Sequence, residues 1–156
     1  MVLVMINKKT FEVRSRGYAQ EFKSDKPWAA ISVTTEPPWP DLLEENRVGL
    51  LQLEFMDAEF IRPTSKWSNG LSIFNEDHAM QILEFVSDMW DKAEVFMAHC
   101  DAGQSRSPAI AAAIENIYYG SGADQHWFNT KTPNMLVYRK ILDVEHEKNS
   151  DSPEES

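Results

Sequence analysis

Short β-prone runs alternate along the chain with longer stretches whose apolar residues recur at helical spacing. That alternation predicts an α/β fold, with a central, mostly parallel sheet flanked by helices. Met1-Val2-Leu3-Val4-Met5-Ile6 reads as an opening strand, and a further strand is expected through Thr10–Val13. Ser15 is placed to cap a short helix ending near Phe22. Trp28–Thr34 reads as a buried strand and Val48–Phe55 as another strand of the sheet. Between them, Glu36-Pro37-Pro38-Trp39-Pro40 must be a loop, because three prolines remove backbone donors and restrict their neighbours. Ala58 to Gly70 reads as a long polar connection.

The second half is more regular. Asn75 is a suitable N-cap, Glu76 and Asp77 suit a first turn, and Ala79, Ile82, Leu83, Val86 and Trp90 share one face, so this helix should cover the sheet. Glu94–His99 forms the next strand. Ser107 is the candidate cap of the following helix, with Pro108 at its first position and Gly120 near its end. Ala109, Ala111, Ala112 and Ala113 make that helix slim, while Ile110, Ile114 and Ile117 supply its packing ridge. A last helix is expected to start at Thr132-Pro133 and run through Leu142.

With 156 residues, 42% of them hydrophobic and 26% charged, the chain can build one domain with a real core. Residues 1–145 are assigned to it. The polar, acidic stretch from Asp143 is expected to fray, leaving 146–156 as a disordered tail. The net charge of -10, from 25 acidic against 15 basic residues, argues against nucleic acid and anionic membranes as partners, since no basic run offsets it. The apolar start is too short for a signal peptide or a membrane span. A single cysteine, Cys100, forms no internal disulfide, and a reactive thiol keeps best in a reducing compartment, so a cytoplasmic location is expected. His78, His126 and His146 show no metal-ligand spacing with one another or with Cys100, so neither metal nor cofactor is implied.

The chemistry concentrates in His99-Cys100-Asp101-Ala102-Gly103-Gln104-Ser105-Arg106-Ser107-Pro108, where a strand feeds a short loop and a helix. Such a loop can turn consecutive backbone N–H groups inward as an anion nest, and the helix adds the positive end of its dipole. Asp101, Ala102, Gly103, Gln104, Ser105 and Arg106 would line this cradle, with Gly103 at the point that needs positive φ. A thiolate beneath the nest is stabilised, so Cys100 is the candidate nucleophile. Arg106, six positions after Cys100, supplies a planar fork for two oxygens of a tetrahedral dianion.

His-Cys, five residues, Arg and Ser resembles the signature of the cysteine-dependent protein tyrosine phosphatase superfamily. Residues 94–119 carry the likeness most clearly, and Thr132-Pro133-Asn134-Met135-Leu136-Val137-Tyr138-Arg139 is similar to a segment of small bacterial and phage members of its dual-specificity-like branch. The resemblance implies a protein tyrosine phosphatase-like fold and hydrolysis of phosphomonoesters through a cysteinyl-phosphate. It further implies that Ser107 helps release the Cys100 thiolate and that His99 holds the loop and tunes Cys100 by hydrogen bonding.

Such chemistry needs a general acid for the leaving group. Three carboxylates compete. Asp57 follows a strand, at the sheet edge where α/β proteins bind ligands, and Leu53-Glu54-Phe55-Met56-Asp57 is similar to the segment carrying the acid in dual-specificity members. Asp41 sits in Trp39-Pro40-Asp41, which matches the acid loop of larger tyrosine-specific enzymes but precedes the strand it should follow. Asp77 is nearer in sequence to Cys100 and is also explained as a first-turn partner of a helix dipole. Asp57 is preferred. With Arg106 the only basic residue of the loop, a singly phosphorylated protein or small phosphomonoester is the expected partner, and Trp39, Trp67 or Trp127 could wall the pocket. A catalytically silent phosphate-binding module and a rhodanese-type sulfurtransferase are the rival readings.

Overall fold

The structure, a computed structural model, describes residues 8–59 and 73–150. Its centre is a four-stranded sheet of β1 (Thr10–Ser15), β2 (Trp28–Thr34), β3 (Arg47–Glu54) and β4 (Val95–Cys100), in the order β1-β4-β2-β3 with every pair parallel. Around it lie α1 (Arg16–Ala19), α2 (Glu76–Met89), α3 (Arg106–Tyr119), α4 (Gln125–Thr130) and α5 (Met135–Ser150).

Every residue of β2 and β4 is buried, and side-chain alternation divides them between two apolar layers. Ala29, Ile31, Val33, Phe96, Ala98 and Cys100 join the main core with α2, α3 and α5. Trp28, Ala30, Val95 and Met97 join Ala19, Phe22 and Leu42 in the second. Because all four strands run the same way, Ser15, Thr34, Glu54 and Cys100 end at one edge of the sheet. The loops that leave this edge assemble the site.

Asn75 caps α2 as expected: its side chain accepts from the His78 amide at 3.0 Å, and its own amide donates to His78 Nδ1 at 3.0 Å. Ala79, Ile82, Leu83 and Val86 then face the sheet. The alanines of α3 also act as anticipated, since Arg106 through Ile114 are all buried.

Several boundaries depart from the sequence pattern. The helix α3 begins at Arg106 with Ser105 as N-cap residue, so Ser107 is not the cap and Pro108 is not its first residue. Pro108 is tolerated because first-turn amides have no intrahelical acceptor. The short helix α1 ends at Ala19 rather than near Phe22, and the small helix α4 was not anticipated. The sharpest correction concerns the tail: α5 continues through Ser150, with Val137, Ile141 and Val144 buried on one stripe. The acidic composition after Leu142 conceals Val144, the last residue of that stripe. Residues 151–156, the opening run 1–6 and most of the Ala58–Gly70 connection, with Trp67, lie outside the described residues. No described helix is long and apolar enough to cross a membrane.

If α5 is anchored beyond Leu142, Val144→Ser should cost about 1–3 kcal/mol, the scale of a buried aliphatic side chain. Urea denaturation measures this, and an unchanged midpoint would show that the end of α5 contributes nothing.

Candidate active site

Cys100 is the last residue of β4, and its chain turns at once toward α3. Its Sγ lies 3.1 Å from Ser107 Oγ and accepts from the Ser107 amide at 3.4 Å, so the sulfur sits against the N-terminus of a fourteen-residue helix. Ser107, displaced from the capping role, faces Cys100 instead.

The loop between them is held by its carbonyls. Asp101 O accepts from Arg16 N at 3.1 Å, Gln104 O from Thr132 N at 3.0 Å, and Ser105 O from Asn134 N at 2.9 Å. Among the described residues, the amides of Asp101 through Arg106 donate to no protein acceptor. Three carbonyls of the loop are thus tied to surrounding elements while its amides stay open, which is the condition for an anion nest. Gly103 has φ 70, and a Cβ there would come within 2.7 Å of the Arg14 and Ser15 backbone. Glycine is required both for its conformation and for the close approach of β1.

Arg106 is only 4% exposed. Its Nη1 donates to the Phe55 carbonyl at 2.8 Å and to Thr35 Oγ1 at 2.9 Å, while Nη2 meets Asp101 Oδ2 at 2.9 Å. Its Nε is buried with no partner among the described residues. Burial alone would raise the Asp101 carboxyl, but the Arg106 hydrogen bond and charge, with help from Thr35 and Arg16, hold it below its ordinary value. Thr35 was missed by the sequence reading. The available signal was positional, since it follows the strand β2 at the edge where the Cys loop begins.

Asp57 lies beside this loop, in the segment leaving β3. Its Oδ1 accepts from Ser105 Oγ at 2.9 Å and from Asn134 Nδ2 at 2.7 Å. Asn134, fully buried, also donates to the Ala58 carbonyl at 3.2 Å and caps α5 by accepting from Val137 N at 3.1 Å. One amide side chain thus ties the Asp57 segment to the loop and to the last helix. The sequence pattern puts Asn134 inside the last helix, whereas it precedes α5 and caps it. Asp77 instead accepts from Gln81 along α2 at 3.1 Å, and Asp41 lies in the β2–β3 connection, bonded to no residue of this site among the described residues. Trp127 is not a pocket wall: it packs on Ala111 and Ala112 and donates to Glu115. Trp39 donates to the Leu53 carbonyl at 3.1 Å.

His99 is fully buried, with Nε2 and Ser32 Oγ 2.5 Å apart across the β4–β2 pair. Burial pushes its pKa down to about 4, and the charges of Arg16 and Arg106 act in the same direction. The imidazole is therefore neutral at physiological pH and supports the strand end that carries Cys100.

No protein-family model matches the chain, and no curated protein sequence matches it significantly. Solved structures do. The human tyrosine phosphatase-like serine/threonine/tyrosine-interacting protein superposes with a TM-score of 0.59 at 14% identity, over 89% of this chain and 93% of that one. PTPMT1 in complex with PI(5)P gives 0.58 at 12% identity, over 92% and 95%. Human DUSP28 gives 0.56 at 12%, over 91% and 95%. The chain shares the fold of these tyrosine and dual-specificity phosphatase structures.

The depressed His99 pKa carries a stability consequence with a definite sign. The unfolded chain takes up the proton near the ordinary value of 6.5 and the folded chain only near 4. His99 therefore contributes stability that is complete above the unfolded value and is lost as pH falls from there toward 4, at up to about 1.4 kcal/mol per pH unit. Urea midpoints measured across this window should fall less steeply for His99→Gln than for the parent protein, and equal slopes would contradict the assignment.

Proposed function

We propose that this chain is a cysteine-dependent phosphatase that hydrolyses phosphomonoesters, phosphotyrosine foremost and phosphoserine or phosphothreonine where the pocket admits them. The observation that carries this reading is the convergence, on one anion nest, of the Cys100 sulfur at a helix N-terminus and the buried Arg106 guanidinium with an unpartnered Nε.

In the first step the Cys100 thiolate attacks phosphorus, the S–P bond forms and the ester P–O bond breaks. The nest amides and Arg106 hold the equatorial oxygens, where charge accumulates in the transition state. Asp57 gives its proton to the departing oxygen. Ser105 and Asn134 both donate to Oδ1, so Oδ2 is the oxygen that carries this proton. In the second step Asp57, now ionised, takes a proton from water as the water oxygen attacks phosphorus. The S–P bond breaks, and Ser107 hydrogen-bonds the released thiolate at the position where its hydroxyl now meets Sγ. The substrate is a phosphorylated protein or a small phosphomonoester, because the loop offers no lysine beside Arg106 for a second phosphate.

Incubation with p-nitrophenyl phosphate tests the reading directly: nitrophenol should be released by the parent protein and not by Cys100→Ser. Release of thiocyanate from thiosulfate and cyanide would favour the sulfurtransferase instead. Phosphate binding without turnover in either assay would favour a silent phosphate-binding module.

Asp57→Ala should depress turnover by roughly a hundredfold on esters with poor leaving groups, far less on good ones, and flatten the alkaline limb of the pH profile. The same pattern in Asp41→Ala or Asp77→Ala would reassign the acid. Arg106→Lys should lose most activity although charge is kept, since an ammonium has no planar fork. Parent-like kinetics in that variant would refute the geometry.

A further inference from the structure

Of the N–H groups on the Arg106 guanidinium, three are engaged within the protein. Nη1 gives one to the Phe55 carbonyl at 2.8 Å and one to Thr35 Oγ1 at 2.9 Å, and Nη2 gives one to Asp101 Oδ2 at 2.9 Å. Thr35 Oγ1 in turn donates to that same Oδ2 at 3.1 Å. Guanidinium, hydroxyl and carboxylate therefore close a ring, and the ring occupies the edge between Nη1 and Nη2. The N–H groups left over, on Nε and on the far side of Nη2, lie parallel on another edge, which is the fork that can grip two phosphate oxygens.

Neither Phe55 nor Asp101 secures that arrangement without Thr35. The Phe55 carbonyl holds a single N–H, about which a planar group can still swing. The Asp101 side chain is 46% exposed against 5% for Arg106, so water and salt compete for an ion pair that stands alone. Thr35 removes both freedoms. Its hydroxyl is used once as acceptor and once as donor, which ties the Nη1 side of the plane to the carboxylate that holds the Nη2 side. The residue follows β2 directly at the sheet edge, and its branched Cβ restricts χ1, so the hydroxyl is held in place before any ligand arrives.

We propose that Thr35 is a positioning residue for Arg106: by closing the ring with Asp101, its hydroxyl fixes the guanidinium plane and presents the edge that bears Nε and Nη2 to phosphate. This rests on the phosphatase reading above and deepens it. Asp101 then acts through its link to Thr35 and stays on Arg106 when phosphate enters. A purely structural Thr35 predicts otherwise, because its loss would change stability and leave affinity alone.

The test is binding of inorganic phosphate, by titration calorimetry, to the full chain in the non-turning-over Cys100→Ser background. Thr35→Val keeps the side-chain shape without the hydroxyl and should weaken binding at least about tenfold, the scale of a lost hydrogen bond to a charged group. Thr35→Ala, which sets no extra methyl group at a polar rim, should do the same and serves if valine disturbs the loop. Thr35→Ser restores donor and acceptor and should recover most of the affinity. Because the ring acts as a unit, Thr35→Val should cost little in an Asp101→Ala background. A crystal structure of Cys100→Ser with phosphate should show two of its oxygens on Nε and Nη2 beside an intact ring. Unchanged or tighter binding in Thr35→Val and Thr35→Ala, no recovery in Thr35→Ser, or an equal loss with and without the Asp101 carboxylate overturns the inference. Absence of phosphate binding to the Cys100→Ser parent is a different failure, that of the phosphate site itself and of the reading on which this role rests.

Discussion

Arg106 cannot shed its charge, yet it lies almost wholly out of water, and the surrounding structure answers that requirement. The end of β3 supplies the Phe55 carbonyl, the end of β2 supplies Thr35, and the loop supplies Asp101. Three segments far apart in sequence are thus drawn to one guanidinium. They can meet there because parallel strands deliver their C-terminal ends to the same edge of the sheet. Satisfying the charge also fixes the guanidinium beside the Cys100 loop, and Nε, with no partner among the described residues, and one N–H of Nη2 are the donors this arrangement leaves over.

A second set of contacts fixes the loop from outside. Arg16, Thr132 and Asn134 bind its carbonyls, and the backbone of β1 presses against Gly103. Asn134 extends this frame to Asp57, so the carboxylate proposed as the acid is referenced to the same loop as the sulfur. Preorganisation of this kind matters because a site that waits for substrate to align its donors loses the advantage of fixed dipoles. His99 adds a neutral buried anchor behind Cys100, and its low pKa follows from the burial that makes it a good anchor.

The strands β2, β3 and β4 and the helices α2 and α3 were legible because each carries a strong local signal: unbroken apolar runs, a capped amphipathic pattern, or alanines with an isoleucine ridge. The position of Asp57 near the Cys100 loop was also readable, from its place after a strand. The errors share one cause. Ser107 has the residue type of a cap, but its hydroxyl serves the sulfur, and Ser105 takes the N-cap position. The end of α5 has the composition of a solvated tail, but the helix continues through Ser150 and Val144 still reaches the core. Trp127 could wall a pocket by its chemistry, yet it lies against the alanine face of α3. In each case local character allowed two outcomes and a distant partner chose between them.

By itself the sequence determined the candidate cradle: the segment that carries the sulfur and the guanidinium, where the backbone must turn through positive φ, and the strand–loop–helix order that brings them together. These are properties of a short contiguous segment, governed by steric freedom and backbone dipoles that act over a few residues. Only the tertiary structure decided the partners of Arg106, among them Asp101, and the bracing of Asp57 by Asn134. Those contacts depend on strand register and on which buried charge reaches which donor, and such long-range compensation leaves no periodic trace along the chain.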